Sequence, residues 1–252
     1  VVAIFAGIDL SWTARHETGI CILEGDRDSL RVVALEAAVL SPAEVAAQLT
    51  RAGDTVVAAI DAPLLVTKER RAEAALARAF GRYGAYAYAA RPEFLERVGG
   101  DAGPKLASYL GEASFLLDPL VLEREARGRF ALEVYPHAQQ VVLFGLQRIL
   151  RYKRGSLATR REALDVYRCC LAQLADAHPF EARGIIDELL WAPLVGMTGA
   201  QIKRIEDQLD ALTCAISAFE AWTHGIVAEE VFGDAGNGYI TVPGVARDER
   251  FR

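Results

Sequence analysis

VAIFAGIDL, residues 2–10, and TVVAAIDA, residues 55–62, are the two stretches on which the fold turns. Each is apolar at consecutive positions, the pattern of a strand covered on both faces, and each reaches an aspartate at its end, Asp9 or Asp61. Pro63 then closes the second strand. Strands of this kind belong in the middle of a sheet with helices on either side. An acid at the end of such a strand costs free energy unless it is paired or meets a cation. If the two strands lie side by side and parallel, their carboxylates arrive within about one strand spacing, roughly 5 Å.

Between them, residues 18–24 and 30–39 read as two more strands, parted by the turn residues Gly25, Asp26, Arg27 and Asp28, so the chain opens as a three-stranded meander. Ser41, Pro42 and Glu44 then form a capping-box pattern, and the helix they start stops at Gly53. The sheet resumes at FALEVYP, residues 130–136, where Glu133 interrupts an otherwise apolar run. Residues 66–128 in between read as a helical insertion within a single domain of residues 1–252. It comprises a helix over 68–82, a Gly-, Pro- and aromatic-rich stretch over 83–103 and a second helix over 105–127. Further helices are expected over 137–150, 159–177 and 184–194, and the final thirty residues suggest a turn with a short strand or hairpin, ending in a loose segment at 247–252. The order of elements predicts an α/β fold: three antiparallel strands, then parallel strands, flanked by helices.

The stretch QIKRIEDQLDALTCAISAFE, residues 201–220, is an amphipathic helix. Ile202, Ile205, Leu209, Leu212, Ile216 and Phe219 recur at steps of three and four. On the neighbouring stripe Lys203, Asp207 and Asp210 give way to Cys214, Ser217 and Ala221. Asp210 therefore sits where the helix enters the protein, and Asp207, one turn earlier, reads as the more exposed of the two. On the helix alone, both could equally be solvated surface acids.

With 252 residues, 52% of them apolar, the chain can bury a sizeable core. A net charge of -6 excludes nucleic-acid binding through overall basicity, although not a local basic groove. Cys21, Cys169, Cys170 and Cys214 show neither CxxC spacing nor a disulfide framework, which suits a reducing cytoplasm. The sequence shows no basic n-region with a cleavage site and no run of about 18 apolar residues, so no membrane association is expected. P-loop, GxGxxG and GxSxG patterns are lacking, which removes support for nucleotide cofactors and serine hydrolysis.

Strand-end acids that repel one another are reconciled by a divalent cation. Oxygen-only ligands favour Mg²⁺ or Mn²⁺ over zinc, and two such ions could activate a water and stabilise a leaving oxygen in phosphodiester cleavage. The blocks GIDLSW at 7–12, AIDAPL at 59–64, EVYPHA at 133–138, Tyr152-Lys153 and EDQLDAL at 206–212 resemble the DUF429 family of predicted RNase H-like nucleases. The likeness spans nearly the whole chain, and the order and spacing of the blocks carry it. The last block also resembles the D-x-x-D-A helix of RuvC-type resolvases, at Asp207, Asp210 and Ala211. The resemblance implies a ribonuclease H-like fold and a metal-dependent nuclease acting on nucleic acid, with Asp9, Asp61 and Asp210 as metal ligands and Asp207 as a fourth. The family's arginine-then-acid pair has only Arg70 or Arg71 with Glu73 to match it here.

Other positions stay open between two readings. Glu133 is either a further ligand or the holder of a basic side chain from the insertion. His137 is an acid, a base or a substrate contact. Arg148, Arg151, Lys153, Arg154, Arg160 and Arg161 either meet phosphates or form a solvated helix end, with Lys153 and Arg71 as the substrate-binding candidates. Tyr83, Tyr86 and Tyr88 either stack on bases or pack the insertion. Two other functions compete with the nuclease: a binding or regulatory protein that keeps the fold without catalysis, and an actin- or sugar-kinase-like phosphotransferase, whose fold also opens with a meander carrying an acid.

Overall fold

The computed structural model of the chain describes residues 2–13, 15–181 and 184–251. The buried runs read from the sequence form β1 (Ala3–Asp9), β2 (Thr18–Gly25), β3 (Leu30–Ala38), β4 (Val56–Ile60) and β5 (Arg129–Glu133). They join in one sheet of order β3-β2-β1-β4-β5. The first three strands are antiparallel neighbours, while β1, β4 and β5 run parallel. This is the predicted mixed α/β architecture, consistent with a ribonuclease H-like fold.

Helices cover both faces. The side chains of β1 alternate as the pleat requires: Ala3 and Phe5 face one apolar cluster, Ile4, Ala6 and Ile8 the other. On the first face lie α6 (Leu157–Ala177), α7 (Gly184–Trp191) and α8 (Gly199–His224); on the second lie α1 (Pro42–Ala52) and α4 (Ala102–Glu112). A third cluster joins α2 (Ala72–Phe80) and α5 (Pro136–Leu143) to a hairpin of β6 (Val231–Asp234) and β7 (Gly238–Thr241). The capping box at Ser41 and Glu44 forms as read, and Thr198 with Gln201 makes a second one at the start of α8.

One approach between elements is unusually close. A methyl group at Gly7 would overlap the Ala211 carbonyl and the Ala215 amide of α8, and one at Gly19 would overlap the Asp207 carbonyl. The helix backbone therefore rests on the strand backbones, with only glycine able to stand at the two contact points. Phe5 secures the other end of the contact, edge-on to Phe219 and Trp222 with ring centroids 5.3 Å apart in each case.

Four expectations are corrected. The second helix of the insertion stops at Glu112, not near 127. Ser114 turns the chain at a φ of 64°, and Leu116 then exchanges hydrogen bonds with the β5 backbone, extending the sheet edge. A short helix, α3 (Pro92–Val98), forms inside the stretch expected to be irregular, and α5 ends at Leu143, before Gly145 at a φ of 65°. The segment after 247 is held in place: the Arg250 guanidinium donates to the Val141 carbonyl at 2.7 Å and the Leu146 carbonyl at 3.0 Å, and Phe251 stacks on Phe80. Arg252 lies outside the described residues.

The close approach sets a clear expectation for stability. Gly7→Ala should cost about 3 kcal/mol, the upper end for overpacking, whereas Gly199→Ala, which meets nothing within 4 Å, should stay within about 0.5 kcal/mol of the parent. Urea denaturation of the two variants checks this, and equal stabilities would refute it.

Candidate active site

Ile8 of β1 and Ile60 of β4 are register partners, and the Asp61 amide donates to the Ile8 carbonyl at 2.8 Å. Asp9 and Asp61 therefore follow their strands at the same level. Both have the parity of Phe5, Val57 and Ala59, whose side chains pack under α8. Asp207 and Asp210 come to the same place from the helix, carried by the contacts at Gly19 and Gly7. Asp207 lines the cleft and is the more accessible of the two, as read, but at 2% exposed it is buried and not a surface acid. The reason is Gly19, which lets the Asp207 turn of the helix lie flat on β2.

Asp210 is the most enclosed of the four. The Tyr152 hydroxyl donates to its Oδ1 at 2.7 Å and the Tyr167 hydroxyl lies 3.0 Å from the same oxygen, while Gln140 Nε2 donates to the Tyr152 hydroxyl at 2.9 Å. Its Oδ2 faces the Lys153 ammonium at 2.7 Å and accepts no hydrogen bond of good geometry. Asp207 is ion-paired with Lys203, one turn back on α8, and stands beside Asp9. The Asp61 carboxylate has no hydrogen-bond donor among the described residues.

Charge crowding shows in the titration of these groups. Burial is the main force raising Asp9, with Asp210 adding to it and Lys153 opposing. Asp61 is raised well above the usual carboxylate range by burial and by the charges of Asp9 and Asp210, against the pull of Lys153. Burial and the neighbouring Asp9 lift Asp207 to about 8. Burial works against the Lys153 ammonium, but Asp210, Asp9 and Asp61 together outweigh it and hold Lys153 well above the ordinary lysine value.

Glu133 lies on the cleft wall in a different role. It has the parity of Ala131, which packs on the opposite face of the sheet. Its carboxylate accepts from the Leu64 amide at 2.9 Å and from both terminal nitrogens of Arg70, which also contacts Glu73 at 2.8 Å. Of its two readings, the holder of a basic side chain is the one the geometry bears out, and Arg70 is that side chain. Burial raises Glu133 to about 7 despite Arg70. Arg71 is exposed and opens on a neighbouring cleft of about 450 Å³, away from the aspartates.

Asp9, Asp61 and Asp207 form the floor of a cleft of about 740 Å³, and Asp210 is enclosed behind Lys153. Arg148, Arg151, Lys153 and Arg154 line it, whereas Arg160 turns away to Glu206 at 3.1 Å and Arg161 to the Met197 carbonyl. Tyr86 and Tyr88 stand on its rim, 62% and 68% exposed, while Tyr83 packs inside against Phe80. The basic run and the tyrosine cluster thus each divide between the two roles read for them. His137 is half-buried on the cleft wall between the Tyr135 and Tyr152 rings. Burial, with Lys153 nearby, lowers it to about 4, so it is neutral at pH 7. Sequence reasoning missed Gln140 and Tyr167 and gave Tyr152 no role, because buried helix and turn positions of these types read as ordinary core.

The donors offered to a cation are hard carboxylate oxygens, which suit Mg²⁺ or Mn²⁺, and the buried Asp210 Oδ2 meets a positive charge but no well-formed hydrogen bond. The donor chemistry fits a divalent ion. The side chains are not drawn up as a finished cage: among the described residues no three His, Cys, Asp or Glu side chains are grouped to hold a metal. Lys153 and Lys203 stand among them.

A mixed α/β sheet with paired strand-end acids defines the class, and the sequence comparison gives the family. The family described as a protein of unknown function, DUF429, matches residues 7–230, and the chain belongs to it. No curated protein and no solved structure matches the chain.

Two measurements probe this arrangement. The ordinary values for aspartate and glutamate are 3.8 and 4.5, while Asp207 and Glu133 keep their protons to about 8 and 7. The folded chain thus binds more protons than the unfolded chain in between, and stability should fall as pH rises from about 4 to about 8. Asp207→Asn should flatten that slope in denaturation series across this range. Arg70→Met, which strands the buried Glu133, should cost about 3–5 kcal/mol at pH 8, with a smaller loss at pH 5, where Glu133 is protonated.

Proposed function

We propose that this protein is a hydrolase that cleaves phosphodiester bonds in nucleic acid, with Mg²⁺ or Mn²⁺ held chiefly by Asp9 and Asp61, and with Asp210 and Asp207 setting the charge around them. One observation carries this reading: Asp9, Asp61 and Asp207 line the floor of a cleft whose rim is basic and aromatic, with Asp210 enclosed behind Lys153. An acidic floor repels a phosphate unless a cation is bound there, and a basic rim draws the same phosphate in. A bound divalent ion supplies a Lewis acid and a source of hydroxide.

The chain's own residues divide the remaining work. Arg148, Arg151 and Arg154 neutralise the phosphates that flank the reacting one. Tyr86, Tyr88 and Trp12 offer ring faces on which bases stack, a contact every base can make. His137, neutral and set in the wall, gives the strand an uncharged hydrogen-bonding partner. Arg70 with Glu133 and Glu73 is a positioning group, which fixes the wall beside Asp61 and touches no substrate. The four free cysteines suit a reducing compartment such as the cytoplasm, and no helix among the described residues is long and apolar enough to cross a membrane.

A second reading is a nucleic-acid-binding or regulatory protein without catalysis. The pairing of Lys153 and Lys203 with the acids favours it, since the cluster is partly balanced with no metal at all. The two are separated by incubating the protein with single-stranded, duplex, hybrid and branched nucleic acids in Mg²⁺ or Mn²⁺. Cleavage that is lost on chelation, and that falls at least about a hundredfold in Asp9→Asn and Asp210→Asn, the scale of removing one electrostatic partner of a reacting charge, supports the hydrolase. Binding without cleavage selects the second reading.

A further inference from the structure

Lys153 is an unusual neighbour for a carboxylate cluster that is to hold metal. Its side chain is 32% exposed at the cleft, yet its ammonium reaches the fully buried Asp210 Oδ2 at 2.7 Å. The other oxygen of Asp210 is engaged by the Tyr152 and Tyr167 hydroxyls. Oδ2 is therefore the one oxygen of Asp210 open to a cation, and Lys153 has it.

The lysine is also held there. Tyr152, the preceding residue, is fully buried and bonded to Asp210, and Arg160 Nε donates to the Tyr152 carbonyl at 3.0 Å. The main chain beside Lys153 is fixed by these contacts. Metal pairs that share carboxylates lie about 3.5–4 Å apart, and an ammonium seated on Asp210 fills one of two such positions.

We infer that Lys153 takes the place of a second metal ion, so that the site binds a single divalent cation at Asp9 and Asp61. This rests on the metal-dependent reading above, and its test reports separately on each. Mn²⁺ binding to the full chain should be measured by calorimetry and by electron paramagnetic resonance. The wild type should take one ion, and Lys153→Gln two. In parallel, acylation of Lys153 by an amine reagent, read by mass spectrometry, should change less than about twofold on adding Mn²⁺, because the ammonium stays in place. Two ions in the wild type would overturn the inference and leave the metal reading standing; none would overturn both. One ion in Lys153→Gln would also overturn it, as would a tenfold rise in Lys153 acylation with Mn²⁺, since the ion would then be displacing the lysine. If Lys153→Gln fails to fold by circular dichroism, wild-type stoichiometry and acylation decide the matter.

Discussion

The backbone of α8 lies directly on the backbones of β1 and β2, because Gly7 and Gly19 carry nothing to hold it away. Everything at the cleft depends on this contact. A side chain at either position would lift the helix by the thickness of a methyl group or more, and Asp207 and Asp210 would rise with it. The apolar cluster around Phe5, Phe219 and Trp222 makes the seat firm, and burial of such side chains is worth about 1.5–3 kcal/mol each. That hydrophobic gain offsets the cost of bringing four acids together.

The cost itself is moderated in a graded way. Asp210 is met by two hydroxyls and an ammonium, Asp207 by Lys203, and Asp61 by no donor among the described residues. Raised protonation at Asp9, Asp61 and Asp207 is the sign of charge that the lysines leave unbalanced. The surrounding wall is balanced separately, with Arg70 between Glu133 and Glu73, and Arg160 on Glu206. The cleft thus separates acids that are fully answered, which shape it, from acids that are not, which are available to a ligand.

Much of this could be read from residue order. Consecutive apolar positions marked β1 and β4 as central strands, each reaching an aspartate at its end. The spacing of Lys203, Asp207 and Asp210 placed all three on one helical stripe. What could not be read was depth: Asp207 looked exposed because nothing in α8 itself reveals the glycine on β2 that receives it. Glu133 kept two readings because its partner lies far off in sequence, at Arg70. Gln140, Tyr152 and Tyr167 were hidden for the opposite reason, being the types of residue that fill a core. The early end of α4 came from tertiary pairing, as Leu116 found β5 to bond with, and no local propensity records such a partner.

The seat of α8 on β1 also bears on the order in which the molecule is assembled. Gly7 and Ala211 lie about 200 residues apart along the chain, and contacts of such separation, like parallel strand pairs, form slowly because the loop between them must close first. Until α8 arrives, Ala3, Phe5 and the bare backbone at Gly7 face outward from a strand that has no cover on that side. During synthesis this apolar face stays open until α8 has been made, and transiently exposed surface of that kind promotes aggregation. The same docking event closes the core and completes the cleft, so a chain with an unfinished core also lacks a finished site.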